Sequence, residues 1–99
     1  MAALLRRAEL GGAFGAVRIK GDAKSGVVLV KVSTLDGQAQ LFLPLHNMDG
    51  ERVWWRKGPD MEVKIESYIH RRLEDDPDLW CVEIEDKQGR HFIDETVDI

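Results

Sequence analysis

The sequence predicts an α+β domain: a mainly antiparallel sheet of about five to six strands with two helices, in the order α-β-β-β-β-α-β-β. Three observations carry that expectation. Apolar residues alternate with polar ones along several short segments, the two-residue period of a strand. Over residues 61–74 they recur instead at helical spacing. Asp-Gly, Gly-Pro and Asp-Pro pairs punctuate the chain between these segments, and short turns between successive strands make antiparallel neighbours, with helices packed on one side of the sheet. The 99 residues suit one globular domain, 1–99, and the 43% hydrophobic and 32% charged composition belongs to folded rather than disordered chains.

Each element follows in order. AALLRRAEL, residues 2–10, is rich in strong helix formers and is stopped by Gly11-Gly12. Val17 and Ile19 alternate with Arg18 and Lys20, so a strand covers residues 14–20, and GDAKSG, 21–26, suits a hairpin loop. VVLVKVS, 27–33, is apolar at nearly every position up to Val30, as in a strand covered on both faces. Asp36-Gly37 signals a hairpin into QAQLFLPL, where Pro44 marks a strand end or an edge. After Asp49-Gly50, ERVWWRK reads as a strand ended by Gly58-Pro59, and Asp60 is placed to cap the next helix. That helix presents Met61, Ile65, Tyr68, Ile69 and Leu73 as one stripe and is blocked by Asp76-Pro77. In LWCVEIED, Trp80, Val82 and Ile84 point one way, while Cys81, Glu83 and Glu85 point the other, with the acids on the outer, wet face of a hairpin. Gly89 then turns the chain into RHFID, where Phe92 rejoins a core face.

The bulk numbers narrow the function classes. A net charge of −4 and a pI near 5.3 argue against a general polyanion binder, so nucleic acid is an unlikely partner. Cys81 is the single cysteine and makes no internal disulfide. The opening apolar run precedes Arg6 and Arg7, the reverse of a secretory signal, and no stretch reaches the roughly 18 apolar residues of a membrane span. The expectation is a cytoplasmic chain with no membrane association.

Motifs for chemistry are sparse. GDAKSG lacks the Lys and the Ser or Thr that follow the second Gly of a phosphate loop. His46, His70, His91 and Cys81 match no zinc spacing. Glu83, Glu85, Asp86, Asp94 and Glu95 show no pair of environments that would separate an acid from a base, and Cys81 reads as a buried small hydrophobe. No catalytic, cofactor-binding or metal-binding residue is therefore assigned, and no cofactor is expected. The informative residues are Trp54 and Trp55, which face opposite ways on a strand. Arg52 and Arg56 share the face of Trp54, a residue combination found at interface centres and also where Arg stems simply pack over an indole.

ALLRRAELGGAF at 3–14, GDAKSGVVLVKV at 21–32, DGERVW at 49–54 and DPDLWCVEIEDKQGRHFID at 76–94 together resemble a family of small, mainly alphaproteobacterial proteins known as a domain of unknown function. In that family a strand-like stretch usually precedes the first helix, which Met1 almost abuts here. The resemblance implies a bacterial, single-domain, cytosolic protein and brings no catalytic residues with it. The function expected is a non-enzymatic interaction or accessory module, working on a protein partner or by self-association as a homodimer, through a strand edge or the Arg52, Trp54 and Arg56 face. The alternative is a small enzyme or small-ligand-binding domain whose site gathers Asp22, Arg18 or His91 from distant loops, with Asp22 the loop residue singled out. A nucleic-acid accessory role, with bases stacked on the Trp and Arg residues, is a third and less favoured reading.

Overall fold

The computed structural model describes residues 2–24 and 26–98. Helix α1 (Ala2–Leu10) leads into β1 (Phe14–Ile19), β2 (Val28–Ser33), β3 (Gln38–His46), β4 (Arg52–Met61), α2 (Glu62–Asp75), β5 (Trp80–Glu85) and β6 (Val97–Asp98). The α+β class and the predicted order of elements hold through β5; the sixth strand is Val97–Asp98 and not the predicted RHFID. The strands form one sheet in the order β1-β5-β2-β3-β4-β6. It is mainly antiparallel, with β5 parallel to β2 and the short β6 parallel to β4.

The helices lie on opposite faces of this sheet rather than on one side. Leu4 and Ala8, one turn apart on α1, pack with Val30, Val32, Phe42, Trp54, Val82 and Ile84. Ile65 and Ile69 on α2 pack with Leu29, Ala39, Leu41, Leu43, Leu79 and Cys81 on the other face. Alternation along β2 serves both layers, so every residue from Leu29 to Ser33 is buried, as the apolar run at its start predicts. The face carrying Cys81 and Glu83 is thus not wet: α2 covers it, and the Glu83 side chain is only 18% exposed.

Residue 25 lies outside the described residues, and residues 21–24 and 26 do not close the predicted hairpin either, because β5 lies between β1 and β2. Their loop instead passes across the entry to β5 at very close range. A Cβ on Gly21 would stand 2.0 Å from the carbonyl oxygen of Asp78, and one on Gly26 would stand 2.5 Å from the same atom, so only glycine fits at both. Asp22 N donates to Asp78 O at 3.0 Å, and the half-buried Trp80 returns the tie with its indole Nε1 donating to the Asp22 carbonyl at 2.7 Å.

Three further expectations are corrected. Gly58-Pro59, joined by a cis peptide bond, sits inside β4, which continues to Met61. Asp60 does not cap α2: its Oδ1 accepts from Met61 N, while the first helical amide, Glu62 N, donates to Gly37 O at 2.9 Å. The β3–β4 pairing thus brings a backbone acceptor to the helix start, and a side-chain cap is unnecessary. RHFID forms no strand. Asp86 accepts from Arg90 N, Nε and Nη2 at 2.8, 2.9 and 3.0 Å, which curls the chain out of β5. Phe92 and Ile93 still half-bury against the α1-side core.

Candidate functional site

That irregular segment runs beside α1 and leaves a cleft of about 250 Å³ between them. Ala3, Leu4 and Arg7 line it from one side of α1, because residues three and four apart share a helix face. Val28 and Val30 of β2 and Trp54 of β4 form its floor, with Ile93, Asp94 and Glu95 as the opposite wall. Trp54 is 5% exposed, and its indole Nε1 donates to Glu95 Oε1 at 2.8 Å. Arg52 stacks on the Trp54 ring at 5.1 Å and stands 3.5 Å from the same Glu95 oxygen. Arg7 ties α1 to the wall by donating from Nε to the Phe92 carbonyl at 2.9 Å, and its Nη2 lies 3.6 Å from Asp94. The result is an apolar slot rimmed by two guanidiniums and two carboxylates, a lining suited to holding an apolar group with a polar end.

A shallower groove between β4 and α2 has a volume of about 410 Å³ and is lined by Lys57, Asp60, Val63, Lys64, Ser67 and Arg71. Only Val63 there is aliphatic, so it offers little burial to a ligand.

On the α2 face sits a charge cluster whose only local sign in the sequence is one Lys inside an apolar run. Lys31, buried at 3% side-chain exposure, lies 3.4 Å from Glu83, 3.5 Å from Glu62 and 3.7 Å from Glu66. Arg18 on β1 closes the cluster, 2.6 Å from Glu66 and 3.1 Å from Glu83. These ions pair with one another across β1, β2, β5 and α2, a structural network in which Glu66 Oε2 is buried without a hydrogen-bond partner among the described residues. Beside them, burial above all pushes the Cys81 thiol up to about 11, which leaves it without nucleophilic character at neutral pH.

The remaining candidates are scattered. Arg18 lies in the α2-face network, while His91 packs tilted on Phe42 at 4.9 Å on the α1 face and Asp22 sits in the loop over the β5 entry. The three are therefore not gathered into one site. His91 is held below its usual range first by burial and then by the nearby Arg56, and its Nδ1 accepts from Ile93 N at 2.9 Å. Arg56 shares the sheet face of Trp54 but lies outside the cleft, and its Nε is buried without a hydrogen-bond partner. Trp55, on the opposite face, is 41% exposed. Among the described residues no group of three or more His, Cys, Asp or Glu could hold a metal ion, and no helix is long and apolar enough to cross a membrane. The expectation for Arg52 and Trp54 thus places two residues on the cleft. It missed Arg7, Asp94 and Glu95, because nothing local in the sequence says that residues 91–95 fold back along α1.

Solved structures share this architecture. A crystal structure of a DUF1491 family protein from Caulobacter crescentus is 50% identical, with a TM-score of 0.90, over 98% of this chain and 92% of that one. An NMR structure of a DUF1491 family protein from the same bacterium gives 50% identity and a TM-score of 0.85 over 99% of this chain and 91% of that one. A solution structure of a protein from A. tumefaciens is 27% identical, with a TM-score of 0.81, over 99% of this chain and 91% of that one. No curated protein matches the chain. The family model described as a protein of unknown function, DUF1491, matches residues 1–94, and the chain belongs to that family.

Proposed function

We propose that this bacterial α+β domain is a non-enzymatic interaction module that grips an apolar anchor of a protein partner in the cleft between α1 and residues 93–95. The observation that carries this reading is the cleft itself, in which Leu4, Val30 and Trp54 form a floor beneath four charged side chains. Buried aromatic and Arg groups at the centre of a concave patch are where interfaces concentrate their binding energy. The lining includes no Ser, Thr, Cys, Lys or His, and its two carboxylates are exposed and ion-paired, an arrangement that favours recognition over bond making.

The test fills the slot. Val28→Phe places a ring where the anchor would sit, while the half-buried position of Val28 limits the cost to folding. A partner recovered from the native bacterium by the parent chain and lost with Val28→Phe, at equal thermal stability, supports the reading. Equal recovery by both chains refutes it. Sedimentation velocity on the same pair identifies self-association if the parent forms a dimer and Val28→Phe does not.

A further inference from the structure

We infer that the anchor is the carboxy-terminal residue of the partner polypeptide: an apolar last side chain enters the cleft and its free carboxylate is taken by Arg52 and Arg7. This deepens the interaction reading above and rests on it.

The two guanidiniums carry the argument. The Arg52 guanidinium makes no hydrogen bond among the described residues; its partners are the Trp54 ring at 5.1 Å and a Glu95 oxygen at 3.5 Å that also accepts from the indole at 2.8 Å. Arg7 spends only Nε, on the Phe92 carbonyl, and its Nη2 is 3.6 Å from Asp94, beyond hydrogen-bond range. Each fork therefore keeps terminal N–H donors for an acceptor, and a carboxylate matches the planar fork in a bidentate way. The side chains are 37% and 47% exposed, so an incoming carboxylate displaces water rather than a buried protein partner.

The rest of the cleft selects among carboxylates. Asp94 and Glu95 repel a lone anion but accept a donor, and the terminal residue of a peptide presents one backbone N–H beside its carboxylate. At about 250 Å³ the cleft lies below the roughly 300–1,000 Å³ of sites for drug-sized ligands and suits one large side chain. Leu4, Val30 and Trp54, all under 8% exposed, give that side chain a dry floor.

The experiment is a proton–nitrogen NMR titration of the full chain. Its probes are acetyl-Ala-Ala-Leu and acetyl-Ala-Ala-Phe, their C-terminal amides, and free leucine. Saturable shifts at Ala3, Leu4, Arg7, Glu95 and the Trp54 indole, with the amides about tenfold weaker, are the expected result, since a charge-assisted bond is roughly twice as strong as a neutral one. Arg52→Met should reproduce the amide's loss, and Arg52→Lys, which keeps the charge but not the fork, should restore only part of it. Acid and amide binding equally overturns the terminus while leaving the cleft as an interaction surface. Binding by free leucine alone overturns both, because the cleft is then a small-molecule site. No saturable shift at about 5 mM peptide, weaker than the millimolar end of specific binding, also overturns the inference.

Discussion

Replacing Lys31 by Met removes an ammonium from the interior while keeping an unbranched stem of similar bulk. The Lys31 side chain is 3% exposed and touches Glu83, Glu62 and Glu66 at 3.4, 3.5 and 3.7 Å, side chains that are themselves 18%, 37% and 28% exposed. In the variant Arg18 alone faces Glu66 and Glu83, and Glu62 loses its cation. Orphaning a fully buried charge costs about 3–5 kcal/mol, and the partial exposure of the carboxylates places this case near the lower end, about 3 kcal/mol. For a chain of 99 residues, an unfolding entropy of about 2.1 cal/mol/K per residue makes that a fall in Tm of roughly 14 °C. Urea unfolding followed by circular dichroism, with calorimetry for Tm, measures both quantities. A second change, Glu62→Gln on the Lys31→Met background, should recover about 1 kcal/mol, since the orphaned acid and not the lost stem is the source of the cost. A loss below about 1 kcal/mol, or a double variant no more stable than the single, refutes the account of the cluster as a mutually paired network.

The other predictions concern titration. With its thiol pushed up to about 11, Cys81 is about one part in a thousand thiolate at pH 8. The native chain should resist iodoacetamide there and react once unfolded in urea, as read by intact mass; rapid native labelling would contradict the buried placement. His91 is held below its ordinary value of 6.5 by burial and then by Arg56, so the unfolded chain binds the proton more readily than the folded one. Its contribution is therefore fully present above about pH 6.5 and is lost as the pH falls from there through the folded value. His91→Gln should flatten the stability profile between about pH 7 and 5, and an unchanged slope would remove His91 as the cause.

How far the sequence reveals this fold depends on the range of the forces involved. Local signals read well: Gly11-Gly12 closes α1, the stripe of Ile65 and Ile69 faces a core, and Asp36-Gly37 joins β2 to β3. The placement of β5 does not read locally. Residues 21–26 have the length and composition of a hairpin loop, yet the parallel pairing of Val28–Ser33 with Trp80–Glu85 separates β1 from β2. That pairing is bought with two glycines whose need is visible only once Asp78 is in position. The same crossing puts α2 over Cys81 and Glu83, which is why alternation gave the right two faces and the wrong one as wet. For the cleft, Arg52 and Trp54 were legible as an Arg and Trp pair on one strand face. Arg7 was legible only as a solvated helix cation, since its partner Phe92 is 85 residues away along the chain.

The alternation of β2 finally separates what the two faces can do. Val30 and Val32 point to the α1 side, and Val30 lines the cleft, while Lys31 between them points to the α2 side and anchors the ion cluster. One side of the strand is thus covered by a long helix, with two cations paired to three carboxylates beneath it. On the other side the cover is split between a short helix and an irregular segment, and the guanidiniums at the seam hold their carboxylates only at 3.5 and 3.6 Å. Ion contacts of that length at exposed positions are worth at most about 1 kcal/mol, so a ligand can replace them at little expense, whereas removing the Lys31 contacts costs the fold about 3 kcal/mol. The proposed recognition site lies on the face where the cover is incomplete.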